Sequence, residues 1–145
     1  MTVFAMGMDV CQKKLGVDSS YVKFSYPMGN VMYMQGTVAY LTIISLFFAE
    51  TYNLEVSLIW FIMMVLSATL LAIAVPPIPG AALMLFTILF SQLGIPMEAL
   101  VMATAMDIVC DFFDTGVNVF ALMLEVAGGA RAMKRLDQKV LQEDS

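Results

Sequence analysis

From Phe24 to Ala130 the chain contains no Lys or Arg, although seven basic residues flank that stretch. Lys13, Lys14 and Lys23 precede it, and Arg131, Lys134, Arg135 and Lys139 follow it. Acids persist inside it: Glu50, Glu55, Glu98, Asp107, Asp111, Asp114 and Glu125. A soluble domain carries charge on about a quarter of its residues. Here 13% of 145 residues are charged and 61% are hydrophobic, with a mean hydropathy of +0.86. A water-soluble fold this small cannot hide so much apolar surface, and a disordered chain would be far more polar. The expected class is an all-α integral membrane protein with few spans.

Basic residues stay on the cytoplasmic side of a membrane. Both termini are therefore expected in the cytoplasm of a multi-pass protein of the cell inner (plasma) membrane, with an even number of crossings. Met1 to Val10 has no basic residue before its short apolar run and is interrupted by Asp9, so it does not read as a signal peptide. The absence of His removes Ser-His and Cys-His nucleophile pairs and imidazole metal sites. Cys11 and Cys110 form no CxxC pattern, so neither a disulfide framework nor a thiolate zinc site is expected. A net charge of -5 argues against nucleic acid as a partner. Nothing points to an enzyme or to a cofactor.

Residues 1–23 read as a cytoplasmic lead-in, 24–130 as a membrane core and 131–145 as a cytoplasmic tail. The core divides in three. Residues 24–49 form an apolar segment broken by Pro27, Gly29 and Gly36, long enough to span as a discontinuous helix. Residues 56–93 hold two apolar arms separated by Pro76, Pro77, Pro79 and Gly80, which a continuous helix cannot contain. The second arm, Ala81 to Leu93, reaches only about 20 Å as a helix, short of a full crossing. A re-entrant hairpin fits; the alternative is two ordinary spans with a proline-containing loop. No basic residue lies near the tip, which favours the hairpin. Residues 97–129 form a last helix, with Pro96 at its start and Glu98 in its first turn. It is expected to end near Ala127, before Gly128 and Gly129.

On that last helix Asp107, Asp111, Asp114 and Asn118 fall within an arc of roughly 60°. Ile108, Val109, Phe112, Phe113 and Val119 occupy the other side. Carboxylates at membrane depth are costly and mark functional sites by default. With no Lys or Arg in the span, they call for cations, protons, or basic residues of another chain. Two breaks at membrane depth accompany them: Gly29 to Thr37 (GNVMYMQGT) and Ala74 to Ala82 (AVPPIPGAA). Each could be a mere kink, but broken helices are how transporters commonly build substrate and ion sites.

In this order the three features resemble the C-terminal core of the dicarboxylate/amino acid:cation symporters, the glutamate-transporter family. Pro27 to Thr37 reads PMGNVMYMQGT beside the family's PLGATINMDGT-like motif. Pro77 to Gly80 reads PIPG beside its GVPG-like tip. Asp107 to Val119 reads DIVCDFFDTGVNV beside a DRxxDMxRTxxNVxGD-like motif, and Ser91 to Leu100 is similar to its SVGLPLEAI stretch. The resemblance implies that Asp111 takes the substrate ammonium and that Thr115 and Asn118 line the pocket. It makes Thr37 and the tip residues Ile78, Pro79 and Gly80 the other walls, with Asp114 where the substrate side chain is read. Gly29, Met34, Gln35, Asp107 and Asn118 map to cation-binding positions, for Na+ or H+ and no other metal. The hairpin would act as an extracellular gate.

The departures shape the expected function. Tyr33 and Gln35 replace the family's asparagine and aspartate of NMDG, and Leu122 replaces the aspartate ending the last-helix motif. Asp114 replaces the arginine that pairs with an acidic substrate. The resemblance then implies the C-terminal part of a secondary active symporter for a neutral polar or cationic amino acid, not glutamate or aspartate. The family's earlier helices, first hairpin and homotrimer scaffold have no counterpart here, so a missing N-terminal half or a separate chain is the expected partner, beside lipid. The other readings are a small proton-coupled oligomeric exporter and a non-transporting membrane subunit.

Overall fold

A computed structural model describes residues 3–32, 34–75, 80–137 and 140. Six helices run through them: α1 (Val3–Lys13), α2 (Ser19–Met32), α3 (Gln35–Thr51), α4 (Leu58–Ala74), α5 (Ala81–Leu93) and α6 (Ala99–Ala132). They divide into two units, residues 34–115 and residues 3–32 with 116–137 and 140. The single helix α6 contributes to both. One helical stretch among the described residues, Ser19–Thr51, is long and apolar enough to cross a membrane by length and composition.

The unit of residues 34–115 is built on α3, α4, α5 and the first half of α6. Leu41, Ile44 and Phe48 of α3 pack with Met64 and Ala68 of α4 and with Leu85, Phe86, Leu89, Phe90 and Leu93 of α5. Phe86 and Phe90 stand 5.3 Å apart, and Phe48 meets Phe90 edge-on at 5.5 Å. Such pairs add specific geometry to the area they bury. Ser57 caps α4, its side chain accepting from the Trp60 N–H at 3.1 Å. The Trp60 indole donates to the Leu93 carbonyl at 3.0 Å. The start of α4 therefore lies beside the end of α5, and the two arms form a hairpin. Residues 76–79, between the two arms, lie outside the described residues. Gly80, at φ 84°, precedes α5, and Gly94, at φ 72°, ends it; both positions are left-handed, where glycine carries no Cβ penalty.

Ile95, just before α6, and Ala99 and Ala103 within it join the same core. Helix α6 starts at Ala99, so Met97 and Glu98 form a turn before it rather than its first turn. The Ala99 and Leu100 N–H groups are taken by the carbonyls of Pro96 and Met97, which closes that turn.

In the other unit Cys11, Val17, Val22, Tyr26, Leu122, Val126 and Ala130 form the core. Asp18 caps α2, its carboxylate accepting from the Ser20 and Tyr21 N–H groups, both at 3.1 Å. The Ser20 hydroxyl and these N–H bonds hold its carboxyl below the usual range. Burial pushes the Cys11 thiol up to about 11. Val17 bridges Leu136 in antiparallel fashion, fastened by Asp18 N–H to Arg135 O at 3.0 Å and Asp137 N–H to Gly16 O at 2.9 Å. Helix α6 runs through Gly128 and Gly129 to Ala132 instead of stopping near Ala127. A Cβ at Gly129 would strike the Tyr21 hydroxyl. That glycine provides room for a neighbouring ring, and does not end the helix.

Candidate functional site

Helix α2 ends at Met32 and α3 begins at Gln35, within the stretch Gly29 to Thr37 where a break is expected. Pro27 sits inside α2 and Gly36 inside α3, so the interruption lies between them and not at either. A proline removes one intrahelical bond, and α2 carries that loss. Met34 leaves the helical region at φ -103°, ψ 61°, while its carbonyl accepts from the Val38 N–H at 3.1 Å. This opens α3 with Gln35 at its first position and Thr37 in its first turn.

Thr37 is buried, and its hydroxyl donates to Asp114 of α6 at 3.0 Å to Oδ2 and 3.3 Å to Oδ1. One turn along α3, the Tyr40 hydroxyl donates to Asp107 Oδ1 at 3.0 Å. The Tyr40 ring stands edge-on to Phe86 of α5, with centroids 5.4 Å apart. Asp111, between the two bonded aspartates on α6, is exposed. The acidic stripe thus faces α3, continuing the line of Ala99 and Ala103. The apolar side faces outward: Ile108 is 80% and Phe112 79% exposed. This inverts the arrangement of a water-soluble helix.

Of the residues expected at a site, this unit holds Met34, Gln35, Thr37, Gly80, Asp107, Asp111, Asp114 and Thr115. It brings Thr37 directly onto Asp114. Thr115 is exposed on α6, and Gly80 is exposed at the start of α5. Gly29, which is buried, and Asn118 belong to the other unit. Ile78 and Pro79 lie outside the described residues. Tyr40 is the residue that sequence reasoning missed. Its signal was its i+3 spacing from Thr37, which puts both hydroxyls on one face of α3.

Among the described residues no group of three or more His, Cys, Asp or Glu is arranged to hold a metal ion. Leu122, where the resembling motif has an acid, is 2% exposed in an apolar core.

The sequence pattern of the Sodium:dicarboxylate symporter family matches residues 1–127. The chain is 30% identical to excitatory amino acid transporter 3 of Mus musculus over 132 residues, 91% of this chain and 24% of that protein. The human protein of the same name is 30% identical over 127 residues, 88% of this chain and 24% of its own length. Excitatory amino acid transporter 4 of Rattus norvegicus is 28% identical over 131 residues, 90% of this chain and 23% of its length. The chain spans about a quarter of the length of these relatives.

Proposed function

This chain belongs to the sodium:dicarboxylate symporter family, and from that membership we propose that it forms the C-terminal core of a secondary active amino-acid:cation symporter. The family is one of membrane transporters, not enzymes. The proposed substrate is a neutral polar or cationic amino acid. This chain corresponds to about a quarter of the length of its relatives, and the proposed transport unit includes segments beyond that stretch. It sits in the plasma membrane with both ends cytoplasmic, and α4 and α5 dip in from outside as a gate.

One observation carries the substrate reading: a carboxylate, Asp114, occupies the position of the family's substrate-reading arginine, and the Thr37 hydroxyl is bonded to it. In this reading Asp111 takes the substrate ammonium by a charge-assisted hydrogen bond, with Thr115 and Gly80 of the same unit as further walls. Asp114 repels a second carboxylate and accepts from a hydroxyl, amide or amine. At an effective dielectric of about 20, like charges 4–5 Å apart repel by roughly 4 kcal/mol, which corresponds to more than about a hundredfold in affinity. Cation coupling runs without the two carboxylates that Gln35 and Leu122 replace. Within the unit of residues 34–115 it draws instead on Met34 and Asp107, with Gln35 as a neutral oxygen donor.

The test is competitive binding on this chain assembled with the rest of its transporter. Serine, threonine or lysine should displace a bound probe at concentrations at which glutamate and aspartate do not. Asp114→Arg should move the preference toward acidic substrates. Tighter binding of glutamate than of serine, threonine or lysine to the unmutated site would overturn the assignment.

A further inference from the structure

We propose that Tyr40 is a positioning residue of the acidic face. Its hydroxyl fixes Asp107 against α3, so that of the three aspartates on this face Asp111 is the carboxylate left to accept a cationic group. The proposal rests on the transport reading only for what Asp111 takes.

The geometry starts from two spacings. Thr37 and Tyr40 lie three residues apart on α3, a rise of about 4.5 Å. Their partners Asp114 and Asp107 lie seven apart on α6, a rise of about 10.5 Å. The later residue on α3 meets the earlier one on α6, so the helices run antiparallel at this pair of contacts. Rungs of unequal spacing can be bridged only if the two donors differ in reach. Threonine is a short donor and tyrosine a long one, and each hydroxyl stands 3.0 Å from its carboxylate. The Tyr40 ring is held by Phe86 at an interplanar angle of 77°, so α5 aims the hydroxyl that α3 carries.

The chemistry follows from the charge pattern. Neighbouring carboxylates at i+3 and i+4 repel, and no Lys or Arg lies between Phe24 and Ala130 to offset them. Hydrogen bonds to a charged group are stronger than neutral ones, and stronger still away from water. With Asp107 held by Tyr40 and Asp114 engaged by Thr37, Asp111 stands exposed between them. An incoming ammonium meets one open carboxylate at a fixed place, and the outer two are kept from swinging in to share it.

Labelling of the full chain in detergent with a hydrophobic carbodiimide, mapped by peptide mass and fragmentation, tests this without a transport assay. Tyr40→Phe, which keeps the ring on Phe86, should raise Asp107 labelling about tenfold and leave Asp114 as it was. Thr37→Val should leave Asp107 labelling unchanged. Tyr40→Phe with no effect on Asp107 overturns the proposal. So does a uniform rise at all three aspartates, which would report loosened packing. A failed substrate assay with this labelling pattern intact would count against the transport reading alone.

Discussion

Gly7 and Gly128 both sit inside helices, yet their surroundings differ. A Cβ at Gly7 would run into the hydroxyl and ring of Tyr26, which is fully buried and has no room to retreat. A Cβ at Gly128 would meet nothing within 4 Å. Gly7→Ala should therefore destabilise the α1–α2 packing by about 1–3 kcal/mol through overpacking. Gly128→Ala should stabilise α6 by roughly 0.5–1 kcal/mol, because alanine loses less backbone entropy in a helix. Thermal unfolding of the two variants in the same detergent checks both signs. Equal shifts would mean that the close approach of Tyr26 to Gly7 is not made in solution.

The hairpin elements raise a question of depth. At about 1.5 Å per residue, α4 is about 25 Å long and α5 about 20 Å, both below the roughly 30 Å hydrocarbon core. The bond from the Trp60 indole to the Leu93 carbonyl ties the open ends of the arms together. The two ends then share one side of the bilayer, and the proposed side is external, since no Lys or Arg lies near either end or the tip. Topology reporters fused at Tyr52 and at Leu93 should both read as external. A cytoplasmic reading at either position would overturn this topology, whereas the two-span alternative differs from it only in placing the tip in the cytoplasm.

For the chain as a whole the acidic stripe is the controlling feature. It packs toward α3 while Ile108 and Phe112 face outward, and the relatives carry about four times as much chain. In the proposed topology α6 lies in the membrane, where a carboxylate needs a partner or water, and no Lys or Arg lies between Phe24 and Ala130 to supply one. The purified chain alone, placed in liposomes under a cation gradient, should show no amino-acid uptake above the protein-free background. Robust gradient-driven uptake by this chain would refute the division of labour with further transporter segments.

The helical segments, the acidic arc and the apolar arm Ala81 to Leu93 were legible in the sequence, because hydrophobic periodicity and proline and glycine punctuation act over a few residues. The acidic arc was read from spacing alone, and Thr37 entered through a motif. What faces the arc could not be read that way. Tyr40 reaches Asp107 across 67 residues of sequence, and only the packing of α3 against α5 and α6 puts it there. Local rules also read residues 1–23 as a lead-in, where α1 and the first residues of α2 form. They misplaced both limits of the last helix, with a start at Met97 where a turn precedes Ala99 and a stop at Gly128 where α6 continues. A glycine lowers the intrinsic cost of leaving a helix by only about 1 kcal/mol. A ring packed into the space it leaves, as Tyr21 is at Gly129, can offset that. The sequence by itself determined the apolar helices from residue 24 onward and which side of α6 is acidic, since both follow from neighbours along the chain, but it did not show α1. The tertiary structure decided where those helices end and which hydroxyls hold the acids, since both depend on contacts between residues far apart in sequence.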